Sequence, residues 1–87
     1  MVFIKITNSV AGLTEAGYNL QDGTGEGMIA LSDRLVELFP EGDPRWDYSY
    51  SDELLRIILF SGNYQDEEVR TKCAEFGTVI SISDYIW

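Results

Sequence analysis

The chain has 87 residues, with fifteen Asp and Glu against six Lys and Arg, no His and a formal charge of −9. That length holds one core in a single domain, residues 1–87, and leaves little material for a deep enclosed cleft. The 45% hydrophobic and 13% aromatic content is too high for a disordered acidic tail, and the charge disfavours naked nucleic acid and anionic membranes, which are gripped through Lys and Arg.

Residues 2–6 alternate as a strand of the sheet interior, with Val2, Ile4 and Ile6 on one side and Phe3 and Lys5 on the other. Residues 7–27 carry Ser, Asn, Thr and five glycines around Leu13, Tyr18 and Leu20. This predicts a long ordered loop with one short helical turn at residues 13–16. Residues 28–39 have helical spacing, with Met28, Leu31, Leu35 and Leu38 on one stripe and Asp33, Arg34 and Glu37 off it, and Pro40 and Gly42 end the helix.

Residues 45–50 alternate as a strand, Trp46, Tyr48 and Tyr50 against Arg45, Asp47 and Ser49, and Ser51, Asp52 and Glu53 make a hairpin turn. Residues 54–60 are almost all apolar and suit a buried strand or a buried helix; their short length and the adjacent Ile57 and Ile58 favour the strand. A helix over residues 66–76 follows, with Asp66, Glu67 and Glu68 complementing its dipole, a core stripe of Val69, Cys73 and Phe76, and Gly77 in a left-handed closing position. Residues 78–86 read as the last strand, with Ile80, Ile82 and Ile86 opposite Val79, Ser81 and Tyr85.

The order strand, helix, strand, strand, helix, strand is that of an α+β, ferredoxin-like βαββαβ fold, an antiparallel sheet with two helices on one face. Residues 55–82, LRIILFSGNYQDEEVRTKCAEFGTVISI, resemble the strand, helix, strand opening of an RNA-recognition module of that fold. The segment lies in the second half of the chain and carries acids where such modules carry basic residues and an aromatic strand motif. The resemblance therefore implies the fold and not RNA binding.

The absence of histidine removes the commonest proton shuttle and metal ligand, so no catalytic residue, metal site or cofactor is expected, and the protein is read as a non-enzyme. Cys73 stands alone, cannot form an internal disulfide and falls on an inner helical stripe, where cysteine packs as a small hydrophobe. The run Gly23-Thr24-Gly25-Glu26-Gly27 lacks the lysine of a phosphate loop and sets Asp22 and Glu26 where a phosphate would lie; a mobile loop is the simpler reading. Fifteen acids produce close carboxylate pairs by chance, and no stretch has the calcium-loop pattern. No leader-like segment or long apolar run points to a membrane, and a reducing cytoplasm is the expected location.

The segment 37–53 sets Glu37, Glu41, Asp43, Asp47, Asp52 and Glu53 against Arg45 alone and interleaves Trp46, Tyr48 and Tyr50. Carboxylates steer an encounter and aromatic rings anchor it, which makes this segment, with Asp66, Glu67 and Glu68, the candidate partner-binding surface. The competing reading is a solvated turn with core aromatics, and only burial separates the two.

In size, charge and lack of catalytic groups the chain resembles the small acidic inhibitors encoded by phages, including DNA mimics and anti-CRISPR proteins. That resemblance implies a monomer or small homo-oligomer that docks on the basic nucleic-acid-binding surface of a host defence or DNA-processing protein, in the host cytoplasm. The alternatives are an immunity protein or antitoxin capping a basic toxin, or a phage structural or assembly protein.

Overall fold

A computed structural model describes residues 1–84. The elements are β1 (Val2–Thr7), α1 (Val10–Glu15), α2 (Glu26–Leu38), β2 (Pro44–Ser49), β3 (Leu54–Leu59), α3 (Asp66–Cys73) continued by a 3₁₀ turn (Ala74–Phe76), and β4 (Thr78–Ser83). The four strands form one antiparallel sheet in the order β2-β3-β1-β4. The two most apolar strands, β1 and β3, therefore hold the centre, and the more polar β2 and β4 form the edges.

Alternation along the central strands builds the core. Ile4 and Ile6 of β1 and Leu55, Ile57 and Leu59 of β3 are fully buried, and they share one cluster with Leu13 of α1, Leu31 and Leu35 of α2, Val69 and Cys73 of α3, Phe39 and Phe76. Trp46, Tyr48, Val79 and Ile82 on the edge strands pack against it from the same side. The opposite side of the sheet carries Phe3, Lys5, Arg45, Asp47, Arg56 and Ile58 by register. No polar or charged residue among those described is buried, and the Cα radius of gyration is 12.1 Å.

The expected loop at residues 7–27 contains a true helix. In α1 the Ser9 side chain caps the first turn by accepting from Gly12 N at 3.0 Å, and Leu13 is fully buried. This is a helix beyond the two expected. The expected turn at residues 13–16 thus starts three residues earlier and is a full helix; its extent is not legible because six residues cannot display a 3.6-residue period, and its stability comes from the cap and from tertiary burial. The glycine run is a hydrogen-bonded turn: Asp22 Oδ1 accepts from Thr24 N at 2.9 Å and from Thr24 Oγ1 at 2.8 Å, and Gly25, at φ 76°, precedes α2.

Three further expectations are corrected. In β4 the register with β1 shifts between Lys5 and Ile6, so that Ile82 opposes Ile4, Val79 opposes Ile6 and Ile80 is the extra residue. The bulge turns Val79 inward with Ile82 and leaves Ile80 52% exposed, because one inserted residue reverses the alternation beyond it. Tyr85 and Ile86 lie outside the described residues. Gly77 adopts φ 144°, ψ −154°, not the left-handed helical position, and a Cβ there would stand 2.5 Å from Thr7 O, so it serves as the close crossing between the 3₁₀ turn and β1. Met28 leaves the predicted inner stripe and is 47% exposed, since in the first turn of α2 it is Gly27 that faces inward, against the backbone of Asn19, and Met28 lies at the surface beside Trp46 and Tyr48.

Candidate partner-binding site

The acidic segment 37–53 does not form one patch. It runs from the last turn of α2, through a loop at one end of the sheet, down β2 and into the turn at the other end. The loop is held against residues 60–64: Glu41 N donates to Tyr64 Oη at 3.1 Å, Ser61 Oγ donates to Glu41 O at 2.7 Å, and Gly42 O accepts from Phe60 N and Ser61 N. Helix α3 starts two residues after Tyr64. Glu41 and Asp43 thus share an end of the molecule with Asp66, Glu67 and Glu68, while Asp52 and Glu53 lie a strand's length away, roughly 17 Å for six residues.

Ion pairing sorts these carboxylates further. Glu37 meets Arg34 at 3.2 Å one turn back on α2, Asp43 meets Arg45 at 3.5 Å, and Glu68 meets Lys72 at 3.0 Å. Asp47 receives both Nε and Nη2 of Arg56, at 2.7 and 2.6 Å, across the β2–β3 pair, and this carboxylate holds the Arg56 guanidinium in its charged form even more firmly than usual. Glu41, Asp52, Glu53, Asp66 and Glu67 make no ion pair among the described residues. They sit in turns and at a helix start, where backbone direction, and not a cation, has set them.

Lys72 is spent inside the fold. Its Nζ donates to Leu38 O at 2.9 Å and lies 5.4 and 5.2 Å from the centres of the Phe39 and Tyr64 rings, so it ties α3 to the end of α2 besides pairing with Glu68. Lys5, Arg45 and Arg56, half of the six cations, occupy the side of the sheet opposite the main core cluster, where Phe3 is buried, Lys5 and Arg56 are half-buried and Arg45 is exposed.

Of the aromatic residues in the segment, Trp46 and Tyr48 turn their rings toward the core. Trp46 Nε1 donates to Ser32 Oγ of α2 at 2.8 Å, and the Tyr48 hydroxyl donates to the carbonyl of Asn8. Burial, followed by the nearby Glu53 carboxylate, raises the Tyr48 hydroxyl above its ordinary pKa. Tyr50, 53% exposed, rests edge-on against Tyr48 with ring centres 5.1 Å apart. The half-buried Trp46 forms a ridge between two shallow grooves: one of about 630 Å³ between Val36, Pro40 and Pro44, the other of about 260 Å³ between Met28, Tyr48 and Tyr50.

Sequence reasoning did not single out Met28, Ser32 and Val36 as surface residues. The available signal was Val36, an apolar residue off the inner stripe of α2.

Cys73 is fully buried, and that burial, with a smaller contribution from Glu75, pushes its thiol up to about 12. Such a thiol is protonated and inert near neutral pH. Among the described residues, no three His, Cys, Asp or Glu side chains gather to hold a metal ion, and no helix is long and apolar enough to cross a membrane. Comparison with models of known protein families, with curated proteins and with solved structures returns no match to this chain.

Proposed function

We propose that this chain is a ferredoxin-like α+β protein that acts by binding and not by catalysis, presenting the acidic end formed by Glu41, Asp43 and Asp66 to Glu68 to a basic protein surface. The strand order β2-β3-β1-β4, with α2 between β1 and β2 and α3 between β3 and β4, supports the fold assignment, as does one core shared by both helices. The partner is the nucleic-acid-binding surface of a defence or DNA-processing protein, and the mode is that of the small acidic phage inhibitors.

One observation carries the reading: the Glu41 loop is hydrogen-bonded to Ser61 and Tyr64 just before α3 begins, so that Glu41, Asp66 and Glu67 lie at one end of the molecule, and none of the three makes an ion pair among the described residues. Unpaired carboxylates raise the encounter rate with a cationic surface, and a backbone already held in place loses little freedom on docking. Three of the six cations, Lys5, Arg45 and Arg56, lie on the sheet, while Lys72 at the acidic end is already engaged by Glu68 and Leu38 O.

The test is capture of basic nucleic-acid-binding proteins by the wild type and by a Glu41→Gln, Asp66→Asn, Glu67→Gln variant, at low and high salt. Binding that weakens with salt and is lost in the variant, but persists in Asp52→Asn, Glu53→Gln, supports the assignment. Binding that survives neutralisation of the first set refutes it.

A further inference from the structure

The sheet has two edges, and they differ. At β4 the bulge at Ile80 breaks the regular ladder, a common device for blunting an edge. At β2 the register with β3 runs without interruption from Pro44 to Ser49, and no strand among the described residues pairs with its outer side. Beside this regular edge, α2 exposes Met28 and Val36, and Trp46 stands between their two grooves. Pro44, which lacks an N–H, and the exposed charges of Arg45 and Asp47 guard this edge against indiscriminate pairing, so that from Arg45 to Ser49 it is a template only for a strand whose charges match.

The charge pattern on β2 selects the strand that fits. On the side of the sheet opposite the main core cluster the order is Asp43, Arg45, Asp47, with Arg45 and Asp47 side chains 68% and 59% exposed. When an identical strand is laid antiparallel about Trp46, the Arg45 and Asp47 positions are complementary to each other, and Asp43 falls opposite the neutral Ser49.

We propose that β2 pairs with β2 of a second copy about a two-fold axis through Trp46, joining two four-stranded sheets into one. Arg45 of each copy then stands opposite Asp47 of the other, and each Asp47 lies between its own Arg56 and the second copy's Arg45. On the inner side the two Trp46 residues oppose each other, and the Val36 groove of one copy faces the Met28 and Tyr50 groove of the other. A foreign strand rich in Lys and Arg would set a cation against Arg45. The isologous arrangement satisfies both charges and closes after two chains. The like net charge of the two chains opposes pairing at long range, and salt screens it.

The experiment is sedimentation of the full chain over a range of concentrations at physiological salt, with amide hydrogen exchange read on the same samples. The wild type is expected to dimerise, with residues 44–49 gaining protection as concentration rises. Arg45→Asp sets Asp against Asp47 in its homodimer, and Asp47→Arg sets Arg against Arg45, so each variant alone should dimerise roughly tenfold more weakly or worse. Mixed together, the two restore both attractive pairs, and the dimer should return.

Circular dichroism confirms that each variant is folded, and exchange on the wild type needs no variant at all. The proposal is overturned by a wild type that stays monomeric with unchanged exchange at residues 44–49, by a dimer that both variants leave intact, or by folded variants that remain monomeric when mixed. A monomer whose residues 44–49 are protected by an added Lys-rich extended peptide would also overturn it, in favour of a foreign strand. These readouts involve Arg45 and Asp47, not Glu41, Asp66 and Glu67, and so stand or fall separately from the acidic-end reading.

Discussion

The hydroxyl of Tyr18 donates to Oε2 of Glu75 at 2.8 Å and joins the loop after α1 to the 3₁₀ turn before β4. The same carboxylate receives Nε and Nη2 of Arg34 from α2, the latter at 2.8 Å. Three segments distant in sequence thus meet on one acid. Burial first, then Glu75, raises the Tyr18 hydroxyl to about 12.

The Arg34 guanidinium, aided by Tyr18, holds the Glu75 carboxyl below the usual carboxylate range against the opposing effect of burial. A carboxylate whose folded pKa is depressed contributes stability that is complete above its unfolded value, about 4.3, and is lost as pH falls through the folded value. Glu75→Gln should cost about 1–2 kcal/mol near neutral pH after solvent screening. Thermal melts from about pH 7 to about pH 3 should show the gap between variant and wild type closing in acid. A gap that widens there contradicts the assignment.

The Trp46 to Ser32 hydrogen bond is the polar contact that fastens the edge strand to α2. Trp46→Phe and Ser32→Ala should each cost about 1 kcal/mol in urea denaturation, and the double variant should cost clearly less than their sum. Full additivity would mean that the two side chains act independently.

A Cβ on Gly27 would lie 1.9 Å from the carbonyl oxygen of Asn19, where the loop crosses the first turn of α2. Gly27→Ala should therefore destabilise by about 1–3 kcal/mol, because the obstacle is backbone and cannot rotate away. Gly23, four residues earlier, has nothing within 4 Å of its Cβ position and no positive φ, so Gly23→Ala should be neutral or stabilise by up to ~1 kcal/mol. Comparison of the two melting temperatures checks both.

Glu53 closes the β2–β3 turn at φ 53°, with its carbonyl accepting from Asn8 N at 3.1 Å. That left-handed conformation costs a side-chain-bearing residue about 1–2 kcal/mol, so Glu53→Gly should raise the melting temperature while Glu53→Ala should not. A Gly variant no more stable than the Ala variant would show that the turn relaxes without strain.

The order of elements was legible in the sequence because each rests on local pattern. Ile4 and Ile6 alternate with Phe3 and Lys5, the apolar run of β3 suits a central strand, and Leu31 and Leu35 recur at helical spacing. Net charge was legible too, being a sum over residues that no fold can change. Of the helix over 10–15 only a short turn at 13–16 was legible, since its burial of Leu13 depends on a sheet the segment does not itself contain. The inward turn of Val79 past Ile80 was not legible, as it follows from pairing with β1 and not from β4's own alternation.

The candidate site shows the same division more sharply. The identities of its acids were plain from composition, yet Glu41 and Glu53, close in sequence, end a strand's length apart, while Glu41 and Asp66 share one end of the sheet through Tyr64. Trp46 and Tyr48 carry an aromatic signature that does not say which way they face; register on β3 turned them inward. Which charges exist is a property of the residues one by one. Which of them act together depends on strand direction and long-range pairing, and those are decided only when the tertiary structure forms.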